Sequence, residues 1–238
     1  MDIKQYAVIT GGSKGIGRAT VLRFAREGFG IITCARNGAG LEELKKEIGK
    51  EYPGTEIFTL AADLSRKEEV SRFARFCLQQ STNIAVLVNN TGVFMPGQIH
   101  NEEEGVLELQ VATNLYSAYY LTRALLPPMI EKRSGHIFTI CSTASIEAYP
   151  NGGSYCITKH ALYGMTKVLR EEMKSFGIRV SAILPGATYT ASWEGVDLPE
   201  ERFMKPEDVA EVIWCSYALS KLSVVEEVLM RPQLGDLG

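Results

Sequence analysis

The chain has 238 residues, with 25 Lys and Arg against 28 Asp and Glu, a net charge of −3 and 45% hydrophobic residues. This composition excludes a fibrous or disordered chain, and without a basic excess it carries no footprint for nucleic acid or an anionic membrane surface. The length buries a sizeable core, as one large α/β domain or two small ones.

Short apolar, β-branched runs recur along the chain at Tyr6–Thr10, Ile31–Cys34, Ile57–Leu60, Ile84–Val88, His136–Cys141, Arg179–Leu184 and Val224–Met230. Several are apolar at nearly every position, as strands covered on both faces are. Helical periodicity occupies the intervals: Arg18–Glu27, Leu41–Lys50, Lys67–Gln80, Glu103–Ile130 (bent or broken), Ser154–Phe176 and Pro206–Ser220. Strands alternating with helices imply right-handed crossovers and a parallel sheet. No linker, repeat or low-complexity tract divides the chain. The expectation is one doubly wound, Rossmann-type α/β domain spanning residues 1–238, with about seven parallel strands and helices on both faces.

The first strand runs into Thr10-Gly11-Gly12-Ser13-Lys14-Gly15-Ile16-Gly17, and a helix follows. A strand, a glycine turn and a helix N-terminus together form an anion site, because free N–H groups and the positive dipole end face one point. Three named motifs compete for this segment. The literal G-x-G-x-x-G fails, since Gly15-x-Gly17 leads into Arg18-Ala19-Thr20. A Walker A loop fails because Arg18-Ala19 replaces Lys-Ser/Thr. Gly11-Gly12-Ser13-Lys14-Gly15 fits a nucleophile elbow, but that chemistry needs a downstream acid and then a His. The last of three histidines, His160, sits mid-helix. A plain glycine turn without a ligand is the remaining alternative.

The pattern T-G-x-x-x-G-x-G from Thr10 to Gly17 resembles the short-chain dehydrogenase/reductase family, and the resemblance continues along the chain. It implies cofactor contacts from Thr10, Gly11, Ser13, Lys14, Gly15, Ile16 and Gly17. NAD-binding units place an acid at the end of the second strand, on the ribose 2′-OH. Here that end reads Cys34-Ala35-Arg36-Asn37, so Arg36 and Lys14 suit a 2′-phosphate and the expected cofactor is NADP(H). The bland alternative makes both cations solvated surface charges. The resemblance places Asp63 at the adenine and adds Asn89 and Gly92 from Asn89-Asn90-Thr91-Gly92, where the family more often has Ala in place of Thr91.

Ser154-Tyr155-Cys156-Ile157-Thr158-Lys159 opens a long helix and sets Tyr155 and Lys159 on one face. A free phenol titrates near 10 and is a poor base at neutrality. A cation ~5 Å away, at an effective dielectric of about 20, favours phenolate by about 3 kcal/mol. Placement in the first helical turn adds the helix dipole. Ser142 lies thirteen residues earlier, just past a strand end, where open α/β sheets bind ligands. A lone Tyr and Lys on one helix face would be an ordinary structural pair. In register with Ser142 and the glycine turn, they resemble the family's catalytic set.

In that resemblance Ser142 polarises a carbonyl, Tyr155 protonates it, Lys159 holds the nicotinamide ribose, and Asn114 supports a water relay to the lysine. Pro185-Gly186-Ala187-Thr188-Tyr189-Thr190 resembles the family's P-G-x-x-x-T, with Pro185, Gly186, Thr188 and Thr190 on the nicotinamide side.

The loop from about 186 to 206 is the expected substrate element, because no second domain remains. Its Tyr189, Trp193 and Asp197, with Tyr149, would meet a flat ring with N–H donors. The segments Thr190–Asp197 and Val224–Pro232 resemble bacterial sepiapterin reductase-like members. The implied function is NADPH-dependent reduction of a small or planar carbonyl compound, sepiapterin-like or a diketone. A 3-oxoacyl-carrier-protein reductase is the competing enzyme, with Lys132, Arg133, Arg170 and Lys174 as its basic docking candidates. A catalytically silent NADPH-binding sensor is the competing non-enzyme.

The histidines read as structural, and no metal-ligand cluster is expected. Five scattered cysteines without a C-x-x-C pair argue for buried thiols in a reducing compartment. No signal peptide and no run of ~18 apolar residues occur, so a cytoplasmic protein without a membrane span is expected. The resemblance also implies a homodimer or homotetramer.

Overall fold

In the first strand, β1 (Tyr6–Thr10), every residue is buried, and alternate side chains enter opposite cores. The computed structural model describes residues 4–190 and 198–236. β1 lies beside β2 (Gly30–Ala35) and β4 (Ile84–Asn89), with β3 (Ile57–Ala61) outside β2. Beyond β4 come β5 (Gly135–Ile140), β6 (Ile178–Pro185) and β7 (Glu227–Met230). The strand order is β3-β2-β1-β4-β5-β6-β7, and every pairing is parallel. The seven expected strands are therefore present. The last begins three residues later than its apolar run, because only Glu227–Met230 pairs with β6.

The helices α1 (Gly15–Arg26), α2 (Gly38–Glu51) and α7 (Pro206–Ala218) cover one face. Val21, Phe24, Leu44, Ile48, Val209 and Ile213 pack there against Ala7, Ile9, Ile31, Val86 and Phe138. The other face takes α3 (Lys67–Gln80), α5 (Ser117–Lys132) and α6 (Gly153–Met173). Their Phe73, Leu121, Leu125, Met129 and Leu169 meet Tyr6, Val8, Ile32, Leu87 and Ile137. The period of two along each strand divides these two sets, so a one-residue slip would exchange them.

The long periodic stretch from Glu103 is broken. Gly105 adopts φ +88° and caps α4 (Val106–Val111), a π-helical turn covers Ala112–Tyr116, and α5 follows. Such turns insert a wide i→i+5 step and recur at functional sites. Four cysteines are buried as expected, but Cys215 on the outer side of α7 is exposed. No described helix is long and apolar enough to cross a membrane. Strand order reverses between β1 and β4, so the carboxyl ends of these strands open the crevice in which such sheets bind ligands.

Candidate active site

A cleft of about 860 Å³ runs along those carboxyl ends, from Arg36 past the β1–α1 turn to Ser142, Tyr155 and Asp236. At its first end the chain turns through Gly11 (φ +69°) and Gly15 (φ +51°), left-handed conformations that glycine adopts without strain. The carbonyl of Cys34 accepts Gly11 N–H (2.9 Å) and Gly12 N–H (3.1 Å), which fastens the turn to β2. Gly17 is buried against Gly11 O and the Asn90 amide, so any side chain there would collide with backbone. Lys14 precedes α1 and gives no side-chain cap, which leaves the first-turn N–H groups facing the cleft. Lys14 and Arg36 are exposed, line the cleft, and form no ion pair among the described residues. Arg18 is different, since Glu47 holds it at 2.5 Å.

Thr10 is 2% exposed and lies beneath the cleft. Its Oγ1 accepts the N–H groups of Asn90 and Thr91, both at 2.9 Å, while Asn90 Nδ2 donates to Thr10 O at 2.8 Å. Asn89 was the expected contact, but its amide turns away and donates to Thr122 Oγ1 at 2.9 Å. The cleft is lined instead by Asn90, Thr91 and Gly92. Asp63 lines it too, with one oxygen engaged by Ser65 N–H (3.1 Å) and Ser65 Oγ (2.9 Å).

At the other end, Ser142 caps a short 3₁₀ turn, accepting Ala144 N–H on Oγ at 3.1 Å. Tyr155 is the third residue of α6, and its ring meets Phe94 edge to face at 4.9 Å. Lys159 is 5% exposed, and its Nζ donates to Ile140 O at 2.9 Å while standing 5.7 Å from the Tyr155 ring centre. An ammonium group so buried needs partners, and the strand carbonyl and the phenol ring face supply two.

Asn114 lies in the π turn and does not line the cleft. Its Oδ1 accepts Val93 N–H (2.7 Å), and its Nδ2 donates to Val93 O and Thr158 Oγ1 (both 3.0 Å). That side chain is fully engaged in bracing the strand end against α6.

Pro185, Gly186, Thr188 and Thr190 line the cleft after β6. Tyr189 does not: it is 46% exposed and leans on Phe203 at 5.7 Å, because its neighbours Thr188 and Thr190 take the inward positions. Tyr149 lines the cleft, whereas Trp193 and Asp197 lie outside the described residues. Sequence reasoning missed Asp236. Its Oδ2 takes Arg231 Nε at 2.8 Å, its buried Oδ1 has no partner among the described residues, and it stands against Gly186.

Burial pushes the lining thiols of Cys34 and Cys141 up to about 12 and about 11, so both stay protonated and unreactive at neutrality. The basic docking candidates are all engaged: Lys132 with Thr82 O (2.7 Å), Arg133 with Ser175 O (2.6 Å), Arg170 with Glu226 and Lys174 with Glu171.

Comparison with known proteins follows the same lines. Residues 5–200 match the short chain dehydrogenase family. A sepiapterin reductase of Chlorobaculum tepidum is 33% identical over 99% of both chains. An uncharacterised oxidoreductase of Staphylococcus aureus is 26% identical over 95% of this chain and 96% of its own. Among solved structures, an alcohol dehydrogenase of Thermococcus sibiricus complexed with 5-hydroxy-NADP superposes with a TM-score of 0.91 at 28% identity, covering 99% of this chain and all of its own. The L-sorbose reductase of Gluconobacter frateurii, complexed with NADPH and L-sorbose, gives 0.88 at 26% identity, covering 96% and 95%.

Proposed function

Because the chain belongs to the short-chain dehydrogenase family and is thereby an oxidoreductase, we propose that it reduces the carbonyl group of a small or planar substrate with NADPH. The carrying observation is the convergence of Ser142, Tyr155 and Lys159 on one cleft with the glycine turn and two cations, Lys14 and Arg36, that form no ion pair among the described residues. The fit of the cofactor rests on this chain's own features: a turn in which Gly17 and Gly11 leave room only for backbone, and Arg36 and Lys14 free to take a 2′-phosphate. When bound, NADPH supplies the hydride that reaches the carbonyl carbon.

The remaining work falls to side chains. Ser142 Oγ–H donates to the carbonyl oxygen and holds it as negative charge develops there. Tyr155 gives that oxygen its proton. Lys159, fixed on Ile140 O, holds positive charge beside the phenol and binds the nicotinamide ribose. Asn114 keeps the β4 end and α6 in place from behind, and Asp63, Gly92, Pro185, Gly186, Thr188 and Thr190 complete the cofactor wall.

A planar substrate with N–H donors, such as sepiapterin, is favoured by the likeness to the Chlorobaculum tepidum enzyme and by Asp236 Oδ1 beside Gly186, which has no partner among the described residues. Residues 1–238 act as one domain, with 186–206 as the substrate loop. Exposed Tyr116, Tyr119, Ile157 and Val168 on neighbouring helices support a homo-oligomer. NADPH oxidation measured against sepiapterin, small diketones and a 3-oxoacyl thioester tests the reading. Turnover of the first two is expected; activity on the thioester alone would overturn it.

A further inference from the structure

The N-terminus of the catalytic helix is capped from a distant loop. Gly152 precedes α6 and offers no side-chain cap. Glu102, fifty-two residues upstream, fills the place: its Oε1 accepts Ser154 N–H at 2.8 Å, and its Oε2 accepts the Ser154 hydroxyl in a short contact. Two glycines make room for it. A Cβ on Gly97 would press on the Glu102 side chain, and one on Gly153 would overlap its Oε1.

The same two loops are joined further. Gly97 and Gly152 form a parallel bridge, Gly97 N–H donates to Asn151 O at 3.0 Å, and Gln98 Nε2 donates to Asn151 Oδ1 at 2.9 Å. Asn151 holds φ +63° to present those acceptors. Phe94, at the head of the same loop, packs on the Tyr155 ring. The loop before α4 thus grips the first turn of α6 beside Tyr155, by a carboxylate cap on one side and an aromatic ring on the other.

We propose that Glu102 is a positioning residue for Tyr155, fixing the first turn of α6 so that the phenol points at the substrate oxygen. This rests on Tyr155 being the proton donor. A carboxylate caps a buried helix start well, because it satisfies N–H groups that water cannot reach and complements the dipole. Small errors in the placement of a reacting group cost rate far more than they cost binding.

The test compares Glu102→Ala, Glu102→Gln, Ser154→Ala and Tyr155→Phe for kcat and KM with a diketone, alongside NADPH affinity by nicotinamide fluorescence. Glu102→Ala is expected to lower kcat about tenfold while NADPH affinity stays within twofold. Glu102→Gln keeps both contacts in shape, since its amide can accept Ser154 N–H and donate to the hydroxyl, and should recover most of the rate. Ser154→Ala, which removes one of the two contacts and keeps the fold, should lower kcat by a few-fold. The proposal is overturned if Glu102→Ala and Ser154→Ala keep kcat within twofold while Tyr155→Phe is inactive. It is overturned equally if kcat and NADPH affinity fall together in both. An active Tyr155→Phe would instead reject the proton-donor assignment beneath it.

Discussion

The two ends of the cleft are built in different ways. The end beside β1 and β2 rests on backbone: Gly11, Gly12, Gly15 and Gly17 lie within seven consecutive residues, and the Cys34 carbonyl fastens their turn through two N–H groups. The end beside β5 and β6 is side chain, held by partners far apart in sequence: Asn114 with Thr158, Glu102 with Ser154 and Arg231 with Glu147. It also buries groups that water would rather keep, among them Lys159 and Asn114. The lesson is that recognition of a phosphate group can be written locally, whereas orienting a proton donor takes several crossing loops.

Four experiments can break or sharpen that contrast. Tyr155→Phe should lower kcat by about 10²–10⁴-fold with NADPH affinity unchanged, as loss of a positioned proton donor does. Steady-state kinetics with fluorescence titration checks it, and weakened NADPH binding would blur the division between the two ends.

The second concerns acid. His136 is fully buried in β5, stacked on Phe138 and bonded through Nε2 to Ser181 at 2.8 Å. Burial pushes its imidazole down to about 2, from the ordinary 6.5. The unfolded chain therefore takes up the proton first as pH falls. Stability is complete above pH ~6.5 and declines below it, by about 2 kcal/mol at pH 5. Denaturant unfolding at pH 7 and pH 5 should show that His136→Asn escapes this part of the loss. An equal loss in both proteins would mean the site tolerates charge.

At the backbone end, Arg36→Ala should weaken NADPH about tenfold and leave NADH nearly unaffected, the difference expected for one charge-assisted contact. Equal weakening of both would mean that Arg36 does not read the 2′-phosphate. The smallest effect is expected from Asp236→Asn, a rise of a few-fold in KM for a substrate with N–H donors and none for a diketone. A matching rise for both would assign Asp236 to the cleft's shape.

The same contrast explains what could be read in advance. The seven parallel strands and the glycine turn were legible because each depends on apolar runs or short spacing, and the fold brings Ser142, Tyr155 and Lys159 to one cleft. The choice between Asn89 and Asn90 was not legible. It depends on which residue leaves the strand ladder first, and Asn89 still belongs to β4. The outward turn of Tyr189 was not legible either, because inward and outward positions alternate in the loop, and the Thr residues on either side hold the inward ones. Glu102 lies just before the helical stretch that the sequence shows from Glu103, yet it caps another helix fifty-two residues on, a partner no local pattern reveals. Asp236 could not be found from spacing, since only the three-dimensional course beyond β7 brings it to Gly186.

The bridge between Thr188 and Met204 carries a further consequence. Tyr189 N–H to Met204 O and Met204 N–H to Ala187 O, both 2.9 Å, tie the two ends of the intervening segment together beside the sheet. Thr190, the first residue past that tie, stands against Gly15, so the anchor of this segment and the phosphate turn form one buttress, and a change in either is felt at the other.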